Sequence, residues 1–229
     1  MTQETDLAAA QDALAKLKRR QKRNQRAAFA KGLMQGICSM LKPGDVALDC
    51  GANVGDVTLM LAQTGADVQA FEPDPYAFAR LTAATQGIGN LTLHPVAVGV
   101  AEGTVRLMRA DNFGDNPAGA SVKSTVVSGG RKIDEAAQNA IEVSQISLLD
   151  HIDALCETHG EIAFLKMDIE GAELDLLEEM LKRGTFQKVR LTVVETHENK
   201  FKDLRPRFAD LRAAVAKAYP ITRVNLDWI

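Results

Sequence analysis

The stretch that most constrains this chain is Val46-Ala-Leu-Asp-Cys-Gly-Ala-Asn-Val-Gly55. Its apolar start (Val46, Ala47, Leu48) ends in Asp49. A glycine-bearing turn follows, and Val57, Leu59, Met60 and Leu61 then open a helical pattern. A buried strand, a tight turn and a helix start, in that order, describe one βα unit of an α/β sheet. Small molecules bind at the carboxyl ends of such strands, beside the exposed N–H groups of the helix. Gly51 and Gly55 let a ligand approach the backbone, and Asp49 supplies a fixed negative charge there. The loop reads G-x-x-x-G and lacks the middle glycine that admits a dinucleotide's pyrophosphate. The expected ligand is nucleotide-like but carries no pyrophosphate.

The next strand, Ala66-Asp-Val-Gln-Ala-Phe71, ends in Glu72-Pro-Asp-Pro75. Glu72 follows Gly51 by 21 residues, at the carboxyl end of the neighbouring strand. A carboxylate placed there can accept hydrogen bonds from both hydroxyls of a ribose. Asn90 to Gly99 reads as a third strand whose end offers Val96 and Ala97 to a flat base, with His94 as a packed residue. Strand–turn–helix recurs at Ile162 to Glu173, where an apolar run changes at Asp168 to a charged turn, and a fifth strand, Val189 to Val194, ends in Glu195-Thr-His-Glu198.

Two regions depart from this alternation. Residues 1–42 read as a helical extension with Leu7, Ala10, Leu14 and Leu17 at helical spacing, then a basic run from Lys16 to Arg26. Such a run is a solvated helix face, a cap over the site or a clamp for an acidic partner. Phe29, Leu33, Ile37, Met40 and Leu41 resume an apolar stripe expected to pack on the sheet. Residues 43–229 form the main domain, with an insertion at about 100–147 in which Gly103 to Met108 and Ile141 to Ser147 alternate like strands. Between them, residues 110–137 are rich in Gly, Ser, Asn and Asp, as in a lid or a disordered loop. Only Ile221 to Trp228 remains for closing the sheet, so either a last strand is lost or the insertion supplies an extra edge.

Composition narrows the classes of function. A net charge of −3 gives no general attraction to nucleic acid phosphates. Three widely spaced cysteines without metal-type spacing suit a reducing compartment. No apolar run approaches the roughly 18 residues of a membrane span and no signal-peptide pattern is seen, so a cytoplasmic location is expected.

Together, Asp49-Cys-Gly-Ala-Asn-Val-Gly55, Phe71-Glu-Pro-Asp74, His94-Pro-Val-Ala-Val-Gly99, Ser147-Leu-Leu-Asp150 and Leu165-Lys-Met-Asp-Ile-Glu-Gly-Ala-Glu173 resemble the FkbM-type S-adenosylmethionine-dependent methyltransferases. The resemblance runs over about residues 40–200, and Lys-x-Asp-x-Glu-Gly-x-Glu is its most specific piece. It implies a Rossmann-like class I methyltransferase fold, a mostly parallel sheet with helices on both faces. It also implies O-methylation of a hydroxyl on a small molecule, sugar or secondary metabolite, with S-adenosylmethionine as cofactor and S-adenosylhomocysteine as product. Glu72 would then take the ribose. The loop from Gly51 through Asn53 to Gly55, with Asp49, would hold the aminocarboxypropyl tail. Pro73 and Val96 would border the adenine, and Asp168 would face the tail or the acceptor.

Methyl transfer is an in-line displacement in which the protein mainly aligns the reactants. A hydroxyl acceptor must also lose a proton or have its charge stabilised. The candidates are Lys166, Asp168, Glu170, Glu195 and His197, with His197 or Asp168 as the base and Lys166 positioning the substrate or pairing with Asp168. Glu170 and Glu173 also suit a helix N-terminus. A divalent ion on Asp168 with Glu195 or His197 is chemically sensible, but no spacing demands one and none is favoured. The competing enzyme class is an NAD-dependent oxidoreductase, against which stand the loop and the absence of a Tyr-x-x-x-Lys pair. The non-enzyme alternative is an S-adenosylmethionine-binding or assembly protein. Pairing of two chains through the N-terminal helix is the expected route to a homo-oligomer.

Overall fold

The computed structural model describes residues 2–110, 112–117, 121, 124–130, 133 and 140–228, with side chains from residue 10 onward. The chain divides into two compact units, the first being the N-terminal helix α1 (Thr2–Met40) and the second running from Leu41 to Trp228. Along α1, Lys16 pairs with Asp12 at 2.7 Å, one helical turn away, and Leu14, Leu17 and Phe29 are exposed. The second unit carries every sheet.

Its main sheet has six strands in the order β3-β2-β1-β7-β8-β9: Leu91–His94, Asp67–Phe71, Val46–Cys50, Ile162–Met167, Val189–Val194 and Val224–Asn225. All neighbours run parallel. β1 is buried along its whole length, as a central parallel strand covered on both faces must be. Because strand side chains alternate, Val46, Leu48 and Cys50 join Leu165 and Met167 in one core with α4 (Leu148–His159), α5 (Glu173–Arg183) and α6 (Arg205–Ala218). Asp49 and Lys166, directly opposite in register, fall on the other face. The order reverses at β1, whose successors in sequence and space lie on either side. A crevice opens there, outside the carboxyl ends of β1, β2 and β7.

The connecting helices start where their sequences supply caps. α3 (Pro75–Ala84) has proline at its first position and Asp74 as cap, whose side chain accepts from the N–H of Tyr76 at 2.9 Å. α4 is capped by Ser147, and α5 stops at Gly184 in the left-handed conformation. α2 (Asp56–Ala62) follows Gly55 directly.

Two expectations require correction. Asn90 to Gly99 is not one strand. β3 ends at His94, and β4 (Ala97–Gly99) belongs to a second sheet of three strands, in which β6 (Ile141–Ser147) lies between β4 and β5 (Gly103–Leu107). Pro95 has no N–H to give a ladder and ends β3 after His94. In that second sheet β5 (Gly103–Leu107) runs antiparallel to β6 (Ile141–Ser147), and β6 runs parallel to β4. The insertion therefore adds no edge to the main sheet. Nor is the last strand lost, since Val224–Asn225 supplies a short β9 beside β8. Most of the expected lid, residues 110–140, lies outside the described residues. Its described parts bridge Met108 to Thr125 and Ala110 to Ile133.

Candidate active site

At the carboxyl ends of β1, β2 and β7 a cavity of about 240 Å³ opens between the glycine loop and the second sheet. The loop is anchored first. The N–H groups of Gly51 and Ala52 both donate to the carbonyl of Phe71 at 3.0 Å, so β2 clamps the turn. Gly51 has φ +79°, and a Cβ added there would lie 1.8 Å from the carbonyl oxygen of Asp168. No side chain fits. Gly51→Ala should therefore push the loop off β7 and abolish ligand binding in this cavity, together with a fall in melting temperature. A variant that binds cofactor as the unaltered chain does would contradict this.

Glu72 stands across the loop and is 7% exposed. Its Oε2 accepts from the N–H of Asn53 at 2.9 Å and its Oε1 from the N–H of Asp74 at 2.8 Å. Each oxygen keeps a further lone pair, which is the arrangement a pair of vicinal hydroxyls needs. Burial pushes its pKa up to about 7, against the opposing pull of those two N–H donors. Pro73, Val96, Asn53 and Gly51 share the cavity wall with it, but Gly55 and Asp49 do not.

Asp49 lies beneath the loop instead. It is fully buried, takes the hydroxyl of Thr58 at 2.6 Å and stands 3.1 Å from the ammonium of Lys166. Lys166 is itself 3% exposed and donates to the carbonyls of Gly51 at 2.7 Å and Cys50 at 3.3 Å. Its distance to Asp168 is longer, 3.8 Å. Burial alone would lower the ammonium's pKa, but the charges of Asp49 and Asp168 and the hydrogen bond to Asp49 together outweigh it and raise the lysine's pKa. The lysine is a brace tying the glycine loop to β7, with its donors committed to protein.

Beyond β7 lies an acidic cluster. Asp168 and Glu170 line the cavity, and Glu170 sits at φ +58° in the turn before α5. Glu173, fully buried, accepts from the N–H groups of Ile169 and Gly171 and from Nδ1 of His197 at 2.9 Å. The other ring nitrogen, Nε2, faces Glu170 at 3.6 Å and Asp168 at 3.8 Å. Burial would lower the His197 pKa, but the bond to Glu173 and the charges of Glu173, Glu170 and Asp168 win and raise it to about 9. Without another cation the ring is charged at neutral pH, the wrong state for a base. Burial and the Asp168 charge push Glu195 up to about 7, and burial raises Asp168 against the pull of Lys166 and His197. Of the two expected bases only Asp168 is on the cavity wall. In the sequence Glu173 suits a helix N-terminus, and its grip on His197, 24 residues further on, has no local signal.

Other wall residues were not legible either. Leu107, Ser124, Thr125 and Val126 reach the cavity from the second sheet and the segment after it, and Trp228 closes it from the C-terminal side. Loops and a tail carry no periodicity that would mark them as wall. His94 is packed as expected, stacked on Phe71 with ring centroids 4.5 Å apart.

A reversed parallel sheet, a glycine loop clamped at its switch point and an acidic residue after β2 define a Rossmann-like α/β protein of the class I methyltransferase type. The Methyltransferase FkbM domain matches residues 49–219, and the chain belongs to that family. No curated protein matches the sequence. Among solved structures, a presumed rRNA-methylase from Clostridium thermocellum is 23% identical over 29% of this chain and 39% of its own, with a TM-score of 0.28. A TehB-like SAM-dependent methyltransferase from Corynebacterium glutamicum is 21% identical over 36% of this chain and 44% of its own, at a TM-score of 0.22. A presumed S-adenosylmethionine-dependent methyltransferase from Listeria monocytogenes covers 57% of this chain and 83% of its own at 12% identity and a TM-score of 0.26. The chain thus spans less than half the length of the first two.

Proposed function

We propose that the chain transfers a methyl group from S-adenosylmethionine to a hydroxyl of a small molecule or sugar. One observation carries this reading. Glu72 presents an accepting lone pair on each carboxylate oxygen at the rim of a cavity whose glycine loop has no middle glycine for a pyrophosphate. The residues suit the cofactor in parts. Glu72 takes the two ribose hydroxyls. Pro73 and Val96 border the adenine. The backbone from Gly51 to Val54 holds the aminocarboxypropyl tail, and the space a Cβ at Gly51 would fill stays open.

Held there, S-adenosylmethionine would supply an activated methyl group with a neutral thioether as leaving group, so the chain need provide no acid for it. The chain's own part is alignment and proton handling. Asp168 and Glu170 lie on the wall beyond the loop, where an acceptor hydroxyl would meet them. The carboxylate-rich cluster receives the proton that the hydroxyl gives up. Lys166 keeps loop and strand in register and touches no reacting atom. In the same reading the protein works in the cytoplasm on a small-molecule or sugar acceptor, not on nucleic acid.

The direct test is transfer of radiolabelled methyl from S-adenosylmethionine to a panel of hydroxylated small molecules and sugars, with RNA included. Label in a hydroxyl compound that disappears in Glu72→Ala supports the proposal. Label only in RNA overturns the acceptor class, and label in nothing despite tight cofactor binding favours the non-catalytic alternative.

A further inference from the structure

We propose that Asp168, Glu170 and His197 form a site for one divalent transition-metal ion such as Mn²⁺ or Zn²⁺, open to the cavity. One ligand atom from each residue lies within 4.8 Å of the others. The two pairs that involve Nε2 of His197, at 3.6 and 3.8 Å, are too long for hydrogen bonds. They suit atoms that share an ion, which sits about 2.0–2.2 Å from imidazole nitrogen or carboxylate oxygen in the case of zinc.

The ring is already oriented as a metal ligand's ring is. Nδ1 is held at 2.9 Å by Glu173, a fully buried carboxylate that is itself fixed by the N–H groups of Ile169 and Gly171. A carboxylate on the far nitrogen fixes the tautomer and aims the near one. The His197 side chain is 12% exposed.

Two lysines also approach these carboxylates, Lys166 toward Asp168 at 3.8 Å and Lys200 toward Glu170 at 2.9 Å. The lysines do not block the site. Lys166 approaches Oδ2 of Asp168 and leaves Oδ1 toward His197, and Lys200 at 2.9 Å steadies Glu170, whose carboxylate has lone pairs for both partners. One imidazole with two carboxylates suits manganese, iron or zinc rather than copper(I) or a purely oxygen-liganded ion.

The ion's role rests on the methyltransferase reading. Asp168 and Glu170 line the cavity, so an ion between them would reach an acceptor hydroxyl and lower its pKa. Asp168 would then act as a ligand, and the expectation of a metal-free site would be replaced.

The test is a titration of the chelator-treated full chain with Mn²⁺ alone, followed by the electron paramagnetic resonance of the free ion and by nitrogen modulation of the bound one. The expected result is one ion per chain with an imidazole nitrogen attached. Affinity should fall at least about tenfold in His197→Gln and in Glu170→Gln, and the nitrogen signal should vanish in the former. No saturable binding, or equal binding in both variants, overturns the site and leaves a proton as the occupant of Nε2. Should His197→Gln fail to fold, the nitrogen signal in the unaltered chain decides alone, and its absence overturns the site. S-adenosylhomocysteine binding measured on the same samples separates the two claims. Homocysteine-nucleoside binding without Mn²⁺ binding removes only the ion, whereas Mn²⁺ binding alone removes only the cofactor reading.

Discussion

Replacing Lys166 with methionine should lower the stability of the second unit by about 3–5 kcal/mol, because it leaves the buried Asp49 carboxyl without its cation. The pair is as enclosed as any in the described residues, 3% exposed on the lysine side and 0% on the aspartate side. Two backbone carbonyls of the glycine loop, those of Gly51 and Cys50, would lose their donor as well. For a chain of this size the loss corresponds to a fall of about 10 °C or more in melting temperature. Pairing Lys166→Met with Asp49→Leu should recover part of it, since removing both charges relieves the desolvation that one alone cannot. A single variant that melts like the unaltered chain would show that the pair contributes nothing to the fold.

The second large effect is at Glu72. Truncation to alanine removes two hydrogen bonds to a charged acceptor, worth about 1.5–3 kcal/mol each, so cofactor affinity should drop a hundredfold or more. The same residue gives a pH dependence with a defined sign. In the proposed binding mode the ribose hydroxyls donate to the carboxylate, so only the ionised form would bind well. Burial raises the pKa of Glu72 to about 7 in the free protein. Affinity should be flat above that value and should weaken as pH falls below it, approaching about tenfold per unit. Titrations at pH 5.5, 6.5 and 8 would read this directly, and an affinity that rises on acidification would exclude Glu72 as the ribose acceptor.

What the sequence made legible was what is local. The β1–turn–α2 unit and the acidic residue after β2 each carry their signal within a dozen residues, and both stand where they were expected. Pro95 carried a signal too, but its consequence, the transfer of Ala97–Gly99 to another sheet, depends on β6 some fifty residues later. Lys166 illustrates a different limit. Its place in the motif was evident. Its partner was not, because the register that sets it opposite Asp49 exists only once β1 and β7 pair. The meeting of His197 with Glu173 and the approach of Trp228 to the cavity are likewise tertiary facts. The cavity wall beyond β7 is built from such pieces, and for that reason the glycine-loop half of the cavity was the more legible one.

The most direct test is calorimetric titration of the purified chain with S-adenosylhomocysteine and, separately, with NAD, repeated on Glu72→Ala. Micromolar binding of S-adenosylhomocysteine, its loss in the variant and no binding of NAD are expected. Binding of NAD with none of S-adenosylhomocysteine would contradict the methyltransferase reading and put an oxidoreductase in its place.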